Sequence, residues 1–530
     1  MVENFIVRSS PKSHLIHCPM NPILQTREEH WNLTVGECTP FTKASSKEAD
    51  AIWNSMTAPL GSFTQTQNST YQITPENNPL CEDPISQCID SIRLSLQCSA
   101  NTVNMKPIIL VSVLCAAASA VPAPPLTTGL CDTARSIPNN PGLQFGPDGK
   151  LSITVFSDLH FGERELDSTV VMYACSPPVA SGEGKDRKTI SVMNSVLDNE
   201  QPDLVVLNGD LISCEFVAPD KFESIVDQIV TPIVNRDLPF AATFGNHDYS
   251  ETCSTRSMAA HMWWDIKGTN GQKLSFTTQS VEGPVEEVGW SNYYIPVYSS
   301  SDSSELEMLL WFFDSKGGHV YQPGKNLNTP TGSYVTDRVV SWFQETRDEF
   351  NKQNGRTIPS LAFVHIPVQA TRAFQRAGGR GDNTEPGINA EMIGHQDDCE
   401  GTDCYNHRDY GFMKALVETQ GLMAVFSGHD HGVDWCMKWA KNLPTSPSNG
   451  NGAHFCFNRH SGFGGYSNWK RGARQILVEE YKLSNREIET WNRLEDRSIS
   501  GRVTLNSTYG TDWYPKVERL QSSGWWADTS

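Results

Sequence analysis

Five short polar clusters in this chain contain residue types that bind metal ions. They are Asp158-Leu159-His160, Gly209-Asp210, Gly245-Asn246-His247-Asp248, Val364-His365-Ile366-Pro367 and Gly428-His429-Asp430-His431. The i, i+2 spacing in the first and last clusters places two side chains on one side of an extended segment. Carboxylate, amide and imidazole donors of this kind suit iron, manganese or zinc. The clusters therefore predict a metal-binding site, in which the two oxygens of Asp210 could bridge two cations.

Each cluster directly follows a short apolar run that is typical of a buried strand. These runs are 153–156, 204–207, 240–244, 361–364 and 422–426. Amphipathic segments between them, at 189–199, 219–235, 335–352 and 408–420, are predicted as helices. The alternation predicts an α/β domain with largely buried sheets. Because ligands bind beyond strand ends in such sheets, we expect the five clusters to converge on one crevice.

The remaining segments set the predicted domain limits at 148–520. Residues 436–470, rich in Gly, Asn, Pro and Ser, are predicted as long loops, and the runs 476–478 and 502–505 as strands that complete a sheet. Residues 1–104 show no sustained apolar periodicity of either helix or strand type. They are interpreted as disordered or as a mis-annotated extension that is absent from the mature protein.

Residues 105–120 have the layout of a secretory signal peptide. Met105-Lys106-Pro107 is followed by an apolar run, 108–118, which is too short to span a bilayer, and by Ala118-Ser119-Ala120. The alternative is a short buried or interfacial helix. The first interpretation predicts a mature N-terminal segment at 121–147, no stable membrane span, and a location outside the cell or in the secretory pathway or vacuole.

The cysteines after residue 120 form an even set, as expected for disulfides in an oxidising compartment. They are Cys131, Cys175, Cys214, Cys253, Cys399, Cys404, Cys436 and Cys456. Connectivity is left open, although Cys399 with Cys404 and Cys436 with Cys456 could each close a small loop. The sequon Asn506-Ser507-Thr508 permits a glycan or is an unused surface sequon.

The formal charge of −19 weighs against nucleic acid as a partner, because binding of a polyanion depends on lysine and arginine. A small anionic substrate can still bind where the site carries its own cations. Metal ions would supply that charge.

The order D-x-H, G-D, G-N-H-[DE], a histidine after a strand, and G-H-x-H resembles the calcineurin-like metallophosphoesterase superfamily over residues 151–431. Within it the chain looks most like the purple-acid-phosphatase-like branch, on the segments 363–367, 428–436 and 462–466. The resemblance implies a four-layer α/β/β/α sandwich of two mixed sheets.

The resemblance also implies two metal ions of unknown identity, iron, manganese or zinc. One would be bound by Asp158, His160, Asp210 and His431, and the other by Asp210, Asn246, His365 and His429. A hydroxide between the ions would attack phosphorus, and His247 would protonate the leaving alkoxide or stabilise the transition state. Asp248 could orient the His247 ring. Ser213 stands where purple enzymes carry a metal-binding tyrosine, so we expect a colourless enzyme.

The implied function is hydrolysis of small phosphomonoesters by a secreted dinuclear-metal phosphatase. A phosphodiesterase acting on nucleotides or phospholipid headgroups is the alternative within enzymes. An inactive phosphate-binding or regulatory protein is the alternative of another class. Neither the substrate-binding residues nor the oligomeric state is predicted.

Overall fold

The run at 204–208 illustrates how the apolar segments of the chain become strands. All five residues of Leu204–Asn208 are buried. Leu204 and Val206 point into one apolar cluster, and Val205 and Leu207 point into another, because successive side chains of a strand face opposite sides of the sheet. The strand therefore lies between two apolar layers.

The computed structural model describes residues 143–163, 182–322, 329–379, 381–397, 405–444, 446–447 and 449–519. The predictions for residues 1–104 and 105–120, and for Cys131, Cys175, Cys399 and Cys404, lie outside these ranges. Among the helices of the described residues, none has the length and apolar character needed to cross a membrane.

The strands are, in chain order, β1 Leu143–Gln144, β2 Lys150–Phe156, β3 Leu204–Asn208, β4 Phe240–Thr243, β5 Tyr293–Tyr298, β6 Leu306–Phe313, β7 Ser360–Val364, β8 Leu422–Ser427, β9 Cys436–Lys438, β10 His454–Phe457, β11 Gly472–Glu479, β12 Ile488–Leu494 and β13 Ile499–Leu505. Both sheets are mixed. One has the strand order β13-β12-β11-β2-β3-β4, with parallel pairing from β2 to β4. The other has the order β1-β5-β6-β7-β8-β10-β9, with parallel pairing of β6, β7 and β8.

The helices are α1 Gly182–Glu200, α2 Phe222–Val234, α3 Thr255–Trp264, α4 Val285–Val288, α5 Asp337–Asn354, α6 Gln369–Arg376 and α7 Tyr410–Glu418. In α2 the buried residues include Ile225, Val226, Ile229 and Ile233, at the i, i+1, i+4 and i+8 positions that form one face of a helix. Helix α5 ends at Gly355, which has a φ of 63° and closes the helix in the left-handed conformation.

Three apolar clusters separate four layers. Helices α1, α2 and α3 pack on the outer face of the six-stranded sheet, and α5, α6 and α7 pack on the outer face of the seven-stranded sheet. A third cluster, which includes Ile153, Val206, Phe312 and Phe363, fills the space between the sheets. This arrangement confirms the predicted α/β/β/α sandwich.

Most of the predicted elements are present. All five motif-bearing strands, the four helices and both tail strands lie where the sequence predicts them. The prediction of long loops over 436–470 is wrong in part, because β9 and β10 lie there and pair antiparallel with Cys436 opposite Cys456. Sheet pairing also begins before residue 148, since Leu143 is paired with Val297.

Candidate metal centre

The five polar clusters lie at one edge of the sandwich. Strands β2, β3 and β4 run parallel, so their carboxyl ends meet at the same edge of one sheet, and β7 and β8 end at the corresponding edge of the other. The side-chain amide of Asn208 donates hydrogen bonds to the carbonyls of Val364 and Phe426, at 3.4 and 3.2 Å. It thereby joins the two sheets directly beneath the clusters.

The aspartates and histidines of the clusters approach one another closely. Their ligand atoms form three overlapping groups, and within each group these atoms lie within 4.8 Å of one another. The groups are Asp158 with His160 and His431, Asp210 with His365 and His429, and His160 with Asp210 and His247. The first group contains three of the residues that the family resemblance implies for one ion, and the second contains three of those implied for the other. Asp210 lies between the two groups, with Oδ2 3.7 Å from His160 Nε2 and 3.0 Å from His365 Nε2.

The backbone at this edge is strained. Asp158, His160, Asp210 and His429 have φ values of 58°, 49°, 50° and 75°. Non-glycine residues seldom adopt this left-handed conformation, which costs on the order of 1–3 kcal/mol per residue and occurs most often at functional sites. Four of the seven predicted ligands therefore occupy conformations that only the surrounding fold maintains.

Two glycines of the motifs permit the predicted ligand side chains to lie close to the backbone of the neighbouring motifs. A Cβ atom at Gly209 would collide with the ring of His365, and a Cβ atom at Gly245 would collide with the carboxylate of Asp210. Because any larger residue would push these ligands apart, both positions require glycine.

Hydrogen bonds fix the orientation of three imidazole rings. Nδ1–H of His365 donates to the carbonyl of Asn208 and Nδ1–H of His431 donates to the carbonyl of Tyr466, both at 2.9 Å. Nδ1 of His160 lies 2.9 Å from the hydroxyl of Ser213. Each ring therefore presents Nε2 to the cluster, as imidazoles do when a partner at the other nitrogen sets their tautomer.

Burial and neighbouring charges shift the pKa values of the predicted ligands. Burial lowers the pKa of His160 and of His429 to about 3, so that both rings are neutral and offer a lone pair. Burial alone would raise the pKa of Asp210, but the charge of His365 outweighs it and holds that pKa well below its usual range. Burial likewise opposes protonation of His365, yet Asp210 raises the pKa of this imidazole to about 10. Since metal ligation requires a neutral imidazole, a cation here would replace the proton of His365.

The partner of His247 differs from the one predicted. Asp248 does not orient the ring, because its oxygens accept hydrogen bonds from the backbone N–H groups of Leu211, Ile212 and Gly245. Nδ1 of His247 lies instead 2.6 Å from Oε1 of Glu215. No motif marks Glu215 in the sequence, and the contact arises only when the loops after β3 and β4 come together.

The parallel strands of the two sheets thus present a set of oxygen and imidazole donors at one edge, with a further histidine beside it. This is the arrangement of a metal-dependent hydrolase built on a four-layer sandwich. The model of the calcineurin-like phosphoesterase family matches residues 151–433, and the chain belongs to that family.

Similar proteins agree with the predicted branch. The chain is 26% identical over 390 residues to a protein of Arabidopsis thaliana named probable inactive purple acid phosphatase 28, covering 68% of this chain and 85% of that protein. It is 27% identical over 356 residues to phosphatase DCR2 of Saccharomyces cerevisiae, covering 66% of this chain and 55% of that protein. The alignment with a dimetal phosphatase of Danio rerio covers 67% of this chain and 98% of that one, at 8% identity and with a TM-score of 0.39.

Proposed function

We propose that this protein is a dinuclear-metal phosphatase that hydrolyses small phosphomonoesters. The observation that carries the proposal is the convergence of Asp158, Asp210 and four histidines into adjoining groups, with His247 beside them. A phosphate ester held at this edge would meet both the cations and a proton donor.

One observation that does not depend on family membership supports a bound cation at this site. Oδ1 of Asn246 is buried and has no hydrogen-bond partner among the residues that the structure describes. A buried oxygen without a donor is costly, and ligation of a cation would satisfy it. We assign Asp158, His160, Asp210 and His431 to one ion, and Asp210, Asn246, His365 and His429 to the other. The mixed oxygen and imidazole set suits iron, zinc or manganese.

When bound, the ions would supply an activated hydroxide and offset the charge that grows on phosphate during in-line attack. The protein's own contribution is to hold the groups in place. Asp158 Oδ1 accepts a hydrogen bond from the N–H of His429 at 3.0 Å, and Asp210 Oδ1 accepts one from the N–H of His247 at 2.8 Å. His247, with 39% of its side chain exposed, can give a proton to the departing oxygen.

An inactive, phosphate-binding role is the second candidate, and the word inactive in the name of the Arabidopsis thaliana relative favours it. In this chain a residue able to bind metal stands at every predicted ligand position, and His247 is present as well. The loss of any one of these residues would be enough to make the protein inactive, so the presence of all of them supports catalysis.

The test is turnover of an aryl phosphomonoester and of the corresponding bis-aryl diester, by protein reconstituted with iron, zinc or manganese, from pH 4 to pH 8, which brackets histidine titration. We expect the monoester to be hydrolysed faster. Faster turnover of the diester would support the phosphodiesterase alternative. Bound metal without hydrolysis of either ester would support the inactive role.

We further propose that the protein passes through the secretory pathway. Two disulfides, Cys214–Cys253 and Cys436–Cys456, support this location, because such bonds persist in oxidising compartments. N-terminal sequencing of protein recovered from the culture medium tests it, and we expect the mature chain to begin near Val121.

A further inference from the structure

We propose that Glu215 is the positioning residue for His247 and that the disulfide Cys214–Cys253 holds Glu215 in place. The pair formed by Glu215 and His247 extends the activity to alkyl phosphomonoesters. The inference rests on the proposed phosphatase function and adds to it a substrate class and the residues that make this class accessible.

The contact between Glu215 and His247 is direct. Oε1 of Glu215 lies 2.6 Å from Nδ1 of His247, and the two side chains remain 41% and 39% exposed, so substrate can reach them. A ring nitrogen of His247 lies within 4.8 Å of the ligand atoms of His160 and Asp210. The histidine thus stands between the carboxylate and the metal centre.

Covalent and hydrogen bonds anchor Glu215 from both sides. Its chain neighbour Cys214 is bonded to Cys253, in the loop that follows His247. In the same loop, the hydroxyl of Thr252 donates to the carbonyl of Cys214 at 2.8 Å. The N–H of Phe216 donates to the carbonyl of Ser213 at 3.0 Å. The loop that carries the carboxylate and the loop that carries the imidazole are therefore tied together within a few residues of the contact.

This geometry sets the tautomer of His247. A carboxylate that accepts the Nδ1 proton leaves Nε2 as the nitrogen that serves the substrate, and it stabilises the ring while it holds a second proton. During hydrolysis a water oxygen bonds to phosphorus and the bond from phosphorus to the ester oxygen breaks. The bonding electrons go to the leaving oxygen, which takes the proton from Nε2. The attacking water releases one proton to solvent, and the ring takes up a proton from solvent before the next turnover.

The leaving group determines how much that proton matters. A nitrophenolate departs readily without protonation, whereas an alkoxide is a strong base and needs the proton as the bond breaks. A correctly held His247 therefore matters most for alkyl esters. Weakening the Glu215 contact should change the ratio of alkyl to aryl turnover rather than lower both rates equally.

The experiment compares Glu215→Gln with wild type in the full, metal-reconstituted protein, using p-nitrophenyl phosphate and glycerol 2-phosphate. We expect kcat/KM for the glycerol ester to fall about 10–100-fold, the usual scale for loss of an orienting partner. For the nitrophenyl ester we expect a loss of only a few-fold. Glu215→Asp should restore part of the alkyl activity, and Glu223→Gln, an exposed position on α2, serves as the control. Equal losses with both esters, or no loss, would overturn the proposal.

The disulfide is tested with the double variant Cys214→Ser, Cys253→Ser, which we expect to reproduce the alkyl-selective loss. The matched control, Cys436→Ser with Cys456→Ser, removes the other disulfide and should leave the alkyl to aryl ratio unchanged. A change of that ratio in both double variants, or in neither, contradicts the assigned role of Cys214–Cys253.

A second readout does not depend on activity. In ¹⁵N-histidine-labelled protein, at an alkaline pH at which the His247 ring is neutral, the ring signal that disappears in His247→Ala should report a proton on Nδ1 in the wild type and a mixture of tautomers in Glu215→Gln. An unchanged signal in Glu215→Gln would refute the pairing. If the wild type hydrolysed neither ester, the proposed function would be wrong. The ring signal would still decide whether Glu215 sets the tautomer of His247.

Discussion

The hydroxyl of Ser213 lies 2.9 Å from Nδ1 of His160, at the position where the purple enzymes that this chain resembles carry a tyrosine. Ser213 is buried, with 2% of its surface exposed. The residue that replaces the tyrosine thus contacts a predicted metal-binding imidazole on the side away from Asp210, and it helps to turn Nε2 of that ring inward.

Ser213→Ala should therefore weaken metal binding without removing a ligand. Loss of a hydrogen bond to a ligating imidazole reduces metal affinity by about 10–100-fold. Titration of metal-free protein with zinc measures the change, with Ser224→Ala, on the exposed face of α2, as the control. Unaltered zinc affinity would show that Ser213 does not orient His160. The iron-loaded wild type should show no visible tyrosinate absorption.

His247→Ala should keep its metal and lose activity. Removal of a proton donor costs about 10²–10⁴-fold in rate. Metal content and turnover of an alkyl phosphomonoester, glycerol 2-phosphate, are measured on the same preparation. The control is His261→Ala, because His261 contacts Asp227 and Asp265 on the protein surface, outside the three groups of the metal centre. If His247→Ala emptied a metal site, His247 would be a metal ligand and its assignment as the proton donor would be wrong.

His454 should make the fold sensitive to acid. It is buried on β10, with Nδ1 3.1 Å from the carbonyl of Met423, and burial lowers the pKa of its imidazole to about 4. An unfolded chain takes up this proton below a pKa of about 6.5. Between these two values the unfolded state therefore binds more protons than the folded state. The contribution of His454 to the free energy of unfolding is fully present above pH 6.5 and is lost as the pH drops toward 4.

From pH 7 to pH 5 the contribution of His454 amounts to about 2 kcal/mol of unfolding free energy, at about 1.4 kcal/mol per pKa unit. His454→Gln removes the titrating group. Urea unfolding at both values should show a decline in stability that is smaller in this variant by that amount. Parallel declines in the two proteins would mean that the ring is protonated in the folded state.

The convergence of the five motifs could be predicted because each polar cluster follows an apolar run, and parallel strands bring their carboxyl ends to one edge. Glu215 could not be predicted in the same way. Its contact with His247 joins two loops and leaves no periodic pattern, and the adjacent Asp248 offered a simpler partner. The structure uses Asp248 to bind backbone N–H groups instead.

The short strands β9 and β10 were missed for a related reason. They have three and four residues and lie within a segment rich in Gly, Asn, Pro and Ser. Such short strands cannot show the apolar periodicity that marks a strand or a helix in a sequence. The cross-strand pair Cys436 and Cys456 was the available signal, because two cysteines that face each other across a ladder form a disulfide. The pairing Cys214–Cys253, with a separation of 39 residues, carries no such local signal.

The most direct test is the metal stoichiometry of purified protein before and after the change Asp210→Ala, with the exposed Asp220→Ala as the control. One carboxylate would serve two ions, so the wild type and the control should each hold two metal ions per chain, and Asp210→Ala should lose metal from both sites together with all activity. A wild type that holds no metal, or an Asp210→Ala variant that keeps its full complement, would contradict the account.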